Sequence, residues 1–162
     1  MKNPIGLTLI FALGGYLIFR GGKMALTDRD EQIDIMARTA WGEARGEGQG
    51  GMQAVINVIM NRVKKGSWYG ATPKEVCLKP YQFSCWLDSD PNKEKLLAVD
   101  DSDKDFATAK WLSGLAYDGE LADITKGATN YVNLAALGDN VPDWVGDMFK
   151  SVTIGNHSFY IG

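Results

Sequence analysis

The chain has 162 residues, a net charge of −3 and 45% hydrophobic residues, which suits one globular domain with a sizeable core. The acidic balance gives no sign of a nucleic-acid partner, so a polymeric substrate would be held by shape, stacking and hydrogen bonds. The single histidine, His157, gives poor support for a metal site or a nucleophilic triad, and we interpret it as structural.

The first predicted element is an apolar run without charges over residues 5–19. As a helix it would be roughly 22 Å long, shorter than the ~30 Å hydrocarbon core of a bilayer. Residues 20–23, Arg-Gly-Gly-Lys, replace a small-x-small cleavage site, which favours an uncleaved anchor over a signal peptide or a buried core helix. The chain is therefore divided into an anchor with its linker, residues 1–23, and a folded domain, residues 24–162.

The first helix of the domain is predicted over residues 31–44, where apolar residues recur at spacings of three and four and form one stripe. Thr27 or Asp28 can cap it, and Asp30 or Glu31 can complete a capping box.

Glu43 falls on or beside this apolar stripe, at the end of the helix. A carboxyl held against an apolar surface is desolvated, which disfavours its charged form, and a general acid must keep its proton. The alternative is a helix-end glutamate in solvent with Arg45 as its neighbour, and the periodicity leaves both open. The glycine-rich residues 46–51 follow a helix and lack the Lys-Ser/Thr pair of a phosphate-binding loop, so we interpret them as a helix stop.

The rest of the chain predicts a mainly helical α+β domain with a small β element near the C-terminus. A loop-rich aromatic stretch, residues 67–91, separates the second helix from those that follow. The later elements are predicted as helices over residues 51–66, 91–99 and 102–117, a short strand over 128–133, and a second strand or hairpin arm over 152–161.

Cys77 and Cys85 are eight residues apart, which is not the spacing of a zinc site. In an exported domain a disulfide could close this loop and would stabilise the fold by ~2–3 kcal/mol. Two small buried thiols are the other interpretation.

Four sequence motifs, in order along the chain, resemble those of the spore-cortex-lytic (SleB-like) cell wall hydrolases. They are Trp41-Gly-Glu-Ala-Arg-Gly-Glu47, Ala54-Val-Ile-Asn-Val-Ile-Met-Asn-Arg-Val63, Tyr81-Gln-Phe-Ser-Cys-Trp86, and the tail Pro142-Asp-Trp144 with Ile154-Gly-Asn-His-Ser-Phe159. The resemblance covers roughly residues 31–160. It implies a lysozyme-like domain that cuts peptidoglycan glycan strands as a lytic transglycosylase, with Glu43 as the single catalytic acid and no metal or other cofactor.

Five further residues are predicted to bind substrate around this acid. Glu47 is either the second carboxylate of a hydrolytic glycosidase or a helix-end residue paired with a cation. Gln82 and Phe83 are expected to flank the groove, with an amide for N-acetyl or hydroxyl groups and a ring for a sugar face. Tyr131 is expected to face the acid, as in transglycosylases of this general fold, and Trp144 to line the cleft.

Peptidoglycan lies outside the inner membrane, so the resemblance also implies export. A short N-terminal helix before a lysozyme-like domain resembles the signal-arrest-release segment of phage endolysins. We therefore expect a monomer tethered to the inner membrane through residues 5–19 and later released into the periplasm to lyse the cell. A virion-associated enzyme that pierces the wall, a hydrolytic muramidase and an inactive peptidoglycan-binding module are the alternatives, whereas a zinc amidase needs more metal ligands than one histidine offers.

Overall fold

The structure, a computed structural model, describes residues 27–162, so the predicted anchor lies outside the described residues. The helices are α1 (Asp28–Ala44), α2 (Gly48–Lys65), α3 (Pro73–Leu78), α4 (Lys93–Ala98), α5 (Lys104–Tyr117), α6 (Leu134–Leu137) and α7 (Trp144–Asp147). The strands are β1 (Asn130–Val132), β2 (Phe149–Ile154) and β3 (His157–Ile161), and short 3₁₀ turns span Arg45–Glu47, Ser67–Tyr69 and Ser84–Trp86. None of the described helices is long and apolar enough to cross a membrane.

The central helix, α1, packs against α2, α3 and α5. Its predicted apolar stripe is buried, and Met36, Ala37 and Ala40 are fully inaccessible. The capping box is also present: the Thr27 side chain accepts from the Asp30 backbone N–H, and the Asp30 carboxylate accepts from the Thr27 N–H. Local pattern and tertiary burial therefore agree for this helix.

The observed helices differ from the sequence prediction at several points. The second helix, α2, begins at Gly48 rather than near Gly51, so the helix stop is only the 3₁₀ turn Arg45–Glu47. The stretch predicted as loop contains α3, whose first residue is Pro73 and whose N-cap, Thr72, accepts from the backbone of the helix. Because α3 is short, its stability comes from packing against α1 rather than from its own propensity.

The three strands form an antiparallel sheet in the order β1-β3-β2. The predicted strand over residues 152–161 is the second half of β2, a turn, and β3; the turn contains Gly155 at a φ of +56°, a backbone conformation that favours glycine. In the register, Tyr131 pairs with Phe159. Phe159 packs on α2 through Ala54 and Val58, which sets the sheet beside the C-terminal end of α1. The mainly helical α+β domain with a small C-terminal β element is confirmed.

Candidate active site

The carboxyl group of Glu43 accepts hydrogen bonds from two segments distant in the sequence. Its Oε1 accepts from the backbone N–H of Cys85 at 2.9 Å and from the Ser84 hydroxyl at 3.2 Å. Its Oε2 accepts from the hydroxyl of Tyr131 at 3.0 Å. The side chain is only partly exposed, so α1, the Ser84–Trp86 turn and β1 together fix the direction of one carboxyl group.

Tyr131 is held in the protonated state at this site. Burial, followed by the charge of Glu43, raises the pKa of Tyr131 well above its usual value. The phenol is therefore neutral across the physiological range and acts as a hydrogen-bond donor. Its ring is supported by Phe159, with centroids 5.6 Å apart, and edge-on by His157, with centroids 5.3 Å apart. His157 thus packs against the tyrosine that faces Glu43.

A close approach at Gly42 explains how the Ser84–Trp86 turn reaches Glu43. A Cβ atom at position 42 would lie 2.7 Å from Cys85 Cβ and 3.0 Å from Leu96 Cδ1. Only glycine at position 42 lets the turn approach closely enough for the Cys85 N–H to donate to the carboxyl of the following residue, Glu43. Gly42 is therefore required for the close contact between the Ser84–Trp86 turn and α1 that forms the site.

Replacing this glycine should loosen the site. We expect Gly42→Ala to lower the free energy of unfolding by about 1–3 kcal/mol, because the new methyl group forces Cys85 and Leu96 apart. Gly46→Ala is the matched control, since nothing lies within 4 Å of a Cβ there. Denaturant unfolding of both variants tests this; equal stability of Gly42→Ala and wild type would contradict it.

Arg45 does not pair with Glu43, which removes the interpretation of a helix-end glutamate next to its cation. The Arg45 guanidinium lies over the Trp41 ring, 4.2 Å from its centroid, and donates to the carbonyls of Trp41 and Gly42. Trp41 is itself buried, and its indole N–H donates to Asp103 at 3.2 Å. Arg45 and Trp41 thus pack against each other at the C-terminal end of α1, and the Glu43 carboxyl accepts from the donors described above.

The sequence model of the cell wall hydrolase family matches residues 46–160, well over half of the chain. The chain belongs to the cell wall hydrolase family. The match begins three residues after Glu43, so the hydrogen bonds of the Glu43 carboxyl are evidence for the active site that is independent of the family match.

Two solved structures are similar to this cell wall hydrolase over most of its length. The catalytic domain of the germination-specific lytic transglycosylase SleB from Bacillus anthracis is 26% identical, with a TM-score of 0.62, and the match covers 83% of this chain and 96% of that one. The catalytic domain of the Bacillus cereus SleB protein is also 26% identical, with a TM-score of 0.62, over 87% and 99% of the two chains. No curated protein sequence matches the chain. The family and these neighbours support a peptidoglycan-degrading enzyme with a SleB-like domain.

The second carboxylate of the opening motif, Glu47, is bound to a turn of the sheet. Its Oε2 accepts from the Asn156 backbone N–H at 3.0 Å and its Oε1 from the Asn156 side chain at 2.7 Å. Gly155 in this turn lies against the Glu47 carboxylate, and its φ of +56° favours glycine. Backbone and then side-chain hydrogen bonds from Asn156 lower the pKa of Glu47. Glu47 clamps the β2–β3 turn and forms no ion pair with a cation of residues 27–162, and its contact with sugar stays a prediction.

Removing the charge of Glu47 should therefore change stability more than catalysis. We expect Glu47→Gln to retain activity within about threefold, because a clamp outside the reaction makes no contact that strengthens in the transition state. Since the pKa of Glu47 is lowered in the folded protein, the wild-type clamp stabilises the fold above the usual glutamate pKa of 4.5, and this stabilisation is lost as the pH falls through the folded pKa. The variant should lose this part of the acid dependence. Unfolding from pH 7 to pH 3 and activity assays test both points; a loss of activity as large as that of Glu43→Gln would contradict them.

The structure places the other predicted substrate-binding residues in different environments. Phe83 is only 2% exposed and packs in the core, so the prediction that its ring meets a sugar is wrong. Trp144 lies edge-on to Tyr160, with centroids 5.4 Å apart. Tyr160 follows Phe159 on β3 and so points to the sheet face opposite Tyr131, and the place of Trp144 in a cleft stays a prediction. Gln82, next to the Ser84–Trp86 turn, is partly exposed and stays a candidate.

Both cysteines are buried free thiols, so the disulfide considered from their spacing is not formed. They serve separate contacts: Cys77 belongs to α3 in the core, and Cys85 packs against Gly42. Burial raises the pKa of Cys77 to about 12, and burial together with the charge of Glu43 raises the pKa of Cys85 strongly. Both thiols are therefore protonated and unreactive at neutral pH.

An open cavity of about 710 Å³ lies at the opposite end of α1, where Asp28 and Gln32 line it together with Tyr69. Gln32 precedes Glu43 by eleven residues, or roughly 16 Å along the helix, so the cavity is separate from the carboxyl site. Residues 27–162 contain no group of three or more side chains arranged to hold a metal ion.

Proposed function

We propose that this cell wall hydrolase cleaves the bond between N-acetylmuramic acid and N-acetylglucosamine as a lytic transglycosylase, with Glu43 as general acid and then general base. The observation that carries the proposal is the set of three hydrogen bonds from Ser84, Cys85 and Tyr131 to one partly exposed carboxyl. The similarity to the catalytic domain of the Bacillus anthracis lytic transglycosylase supports the same reaction class.

The reaction needs one carboxyl group and consumes no water. Glu43 gives its proton to the glycosidic oxygen as the bond from that oxygen to muramic C1 breaks, and charge of oxocarbenium character develops at C1. The C6 hydroxyl of the same muramic residue attacks C1, and its proton passes to the Glu43 carboxylate. The products are a 1,6-anhydromuramic end and a free N-acetylglucosamine hydroxyl, and Glu43 is protonated again.

The hydrogen bonds assign different tasks to the two oxygens of Glu43. Oε1 accepts from the backbone N–H of Cys85, which cannot reverse its direction, so in the acid form the proton belongs on Oε2. Oε2 faces the hydroxyl of Tyr131, which donates to the carboxylate after proton transfer and can accept from the acid before it. The partly exposed amide of Gln82, near the same turn, is a candidate for N-acetyl or hydroxyl groups of the sugar.

Hydrolysis would require a second carboxylate as nucleophile or as base for a water molecule. Glu47 is the candidate in the motif, and both of its oxygens are bonded to Asn156. This engagement favours the intramolecular route over a hydrolytic muramidase.

Digestion of purified peptidoglycan tests the activity itself. We expect the full-length protein to release soluble muropeptides from sacculi. A protein that binds the sacculi and releases nothing would be a binding module, and free stem peptides would indicate an amidase; either result contradicts the proposal.

We also propose that the enzyme is an exported, monomeric phage endolysin whose residues 1–23 tether the domain of residues 24–162 to the inner membrane before release to the periplasm. The charge-free apolar run of residues 5–19 supports a tether held only marginally, since it is shorter than a stable span. Fractionation of cells that express the chain with and without residues 1–23 tests this proposal. Full-length protein found in neither membrane nor periplasm contradicts it, and association with purified phage particles would favour the virion alternative.

A further inference from the structure

Arg62, on α2, is a buried cation that the proposed reaction does not yet use. It is 6% exposed, and its Nε donates to the Thr129 carbonyl at 2.8 Å. Among residues 27–162 its Nη1 has no hydrogen-bond partner, and no carboxylate lies within ion-pair distance of the guanidinium. Arginine is almost never buried without such a partner, because desolvating a charge is costly. Burial accordingly lowers the pKa of Arg62.

The guanidinium touches both segments that hold the Glu43 carboxyl. Thr129, which accepts its hydrogen bond, lies two residues before Tyr131 at the start of β1. The Phe83 ring lies under the guanidinium, 5.0 Å from Cζ to the ring centroid, and directly precedes Ser84. One side chain thus connects the donor to Oε2 with the donors to Oε1.

Four titratable groups interact electrostatically with Arg62 from the elements packed around it. They are Tyr69 of the Ser67–Tyr69 turn, Cys77 of α3, Tyr131 of β1 and Glu43 of α1. Phenols and thiols are neutral at pH 7, so of these four groups only the Glu43 carboxyl can carry a charge there. A cation in low-dielectric surroundings acts on that charge more strongly than one in water.

We propose that Arg62 is a positioning residue for the reaction: it holds the Phe83–Cys85 segment and β1 against Glu43 and stabilises the carboxylate formed when Glu43 gives up its proton. This inference rests on the proposed function. The guanidinium acts through Glu43 and its donors: it keeps these donors in place and adds a positive charge near the carboxyl. Lysine would keep the charge and lose the planar contact with Phe83 and the directed bond to Thr129.

The variants Arg62→Met and Arg62→Lys separate charge from geometry, with Arg45→Met as the matched control. Arg45 also lies over an aromatic ring but forms no hydrogen bond or ion pair with Glu43. We expect Arg62→Met to lower kcat on soluble, uncrosslinked glycan strands roughly 100-fold with KM within about threefold. Arg62→Lys should lower kcat only about tenfold, a partial rescue by the conservative variant, and Arg45→Met should match wild type.

Wild-type kcat in folded Arg62→Met, or a loss that only follows the unfolded fraction, overturns the inference. Thermal unfolding monitored by circular dichroism supplies the folded fraction. If Arg62→Met does not fold, Arg62→Lys decides, since wild-type kcat there overturns the positioning role. A wild-type protein that cuts no glycan contradicts the proposed function, and the inference falls with it.

Discussion

Glu43→Gln should abolish the release of muropeptides while leaving the fold intact. An amide cannot donate a proton to the glycosidic oxygen or accept one from the C6 hydroxyl, and loss of acid–base catalysis at one group costs ~10²–10⁴-fold. Since Glu43 serves in both steps, we expect the upper end of that range. The amide oxygen can still accept from Cys85 and Ser84, so the free energy of unfolding should change by no more than about 1 kcal/mol.

Glu47→Gln is the matched control for this experiment. It makes the same substitution at a second glutamate, four residues along the chain. The Glu47 carboxylate is bonded to Asn156 instead of facing Tyr131. Equal loss of activity in the two variants would point to a paired-carboxylate mechanism. Full activity of Glu43→Gln would contradict the assignment of Glu43 as the general acid.

Tyr131→Phe should reduce kcat by about 10- to 100-fold. The variant removes the hydroxyl that donates to Glu43 Oε2 at 3.0 Å, and a hydrogen bond to a charged group contributes ~1.5–3 kcal/mol. The Phe ring can keep its contact with Phe159, so β1 should stay in register with β3.

Tyr160→Phe is the control for Tyr131→Phe. Tyr160 is a second tyrosine of the sheet and is buried, but its ring meets Trp144 on the opposite face. Kinetics on soluble glycan strands, with melting temperatures of both variants, make the comparison. A drop in kcat shared by both would mean that the sheet, and not the hydroxyl at Glu43, was disturbed.

The helical part of the fold was predictable because its signals are local. Apolar spacing fixed the buried face of α1 through Met36, Ala37 and Ala40, and the Thr27 capping box marked its start. The short helix α3 had signals as well, with Thr72 before Pro73, yet a six-residue helix carries too few apolar repeats to be recognised by periodicity.

The site was predictable only in part, because its contacts join distant segments. Periodicity placed Glu43 beside the apolar stripe, but its donors Cys85 and Tyr131 come from 42 and 88 residues further along the chain. No local pattern reveals that Phe83 turns inward beneath Arg62. Gly42 was the available signal for a close approach, since a glycine next to a candidate acid within a helix lowers helix propensity and so needs a reason.

The masses of the new glycan ends test most directly whether one carboxyl acts first as acid and then as base. Wild-type protein would digest purified peptidoglycan in ¹⁸O-labelled water, with Glu43→Gln digested in parallel. We predict muropeptides with 1,6-anhydromuramic ends, one water lighter than hydrolysed ends and without ¹⁸O, from the wild type only. Muramic reducing ends that carry ¹⁸O from the first turnovers, or anhydro ends released by Glu43→Gln, would contradict it.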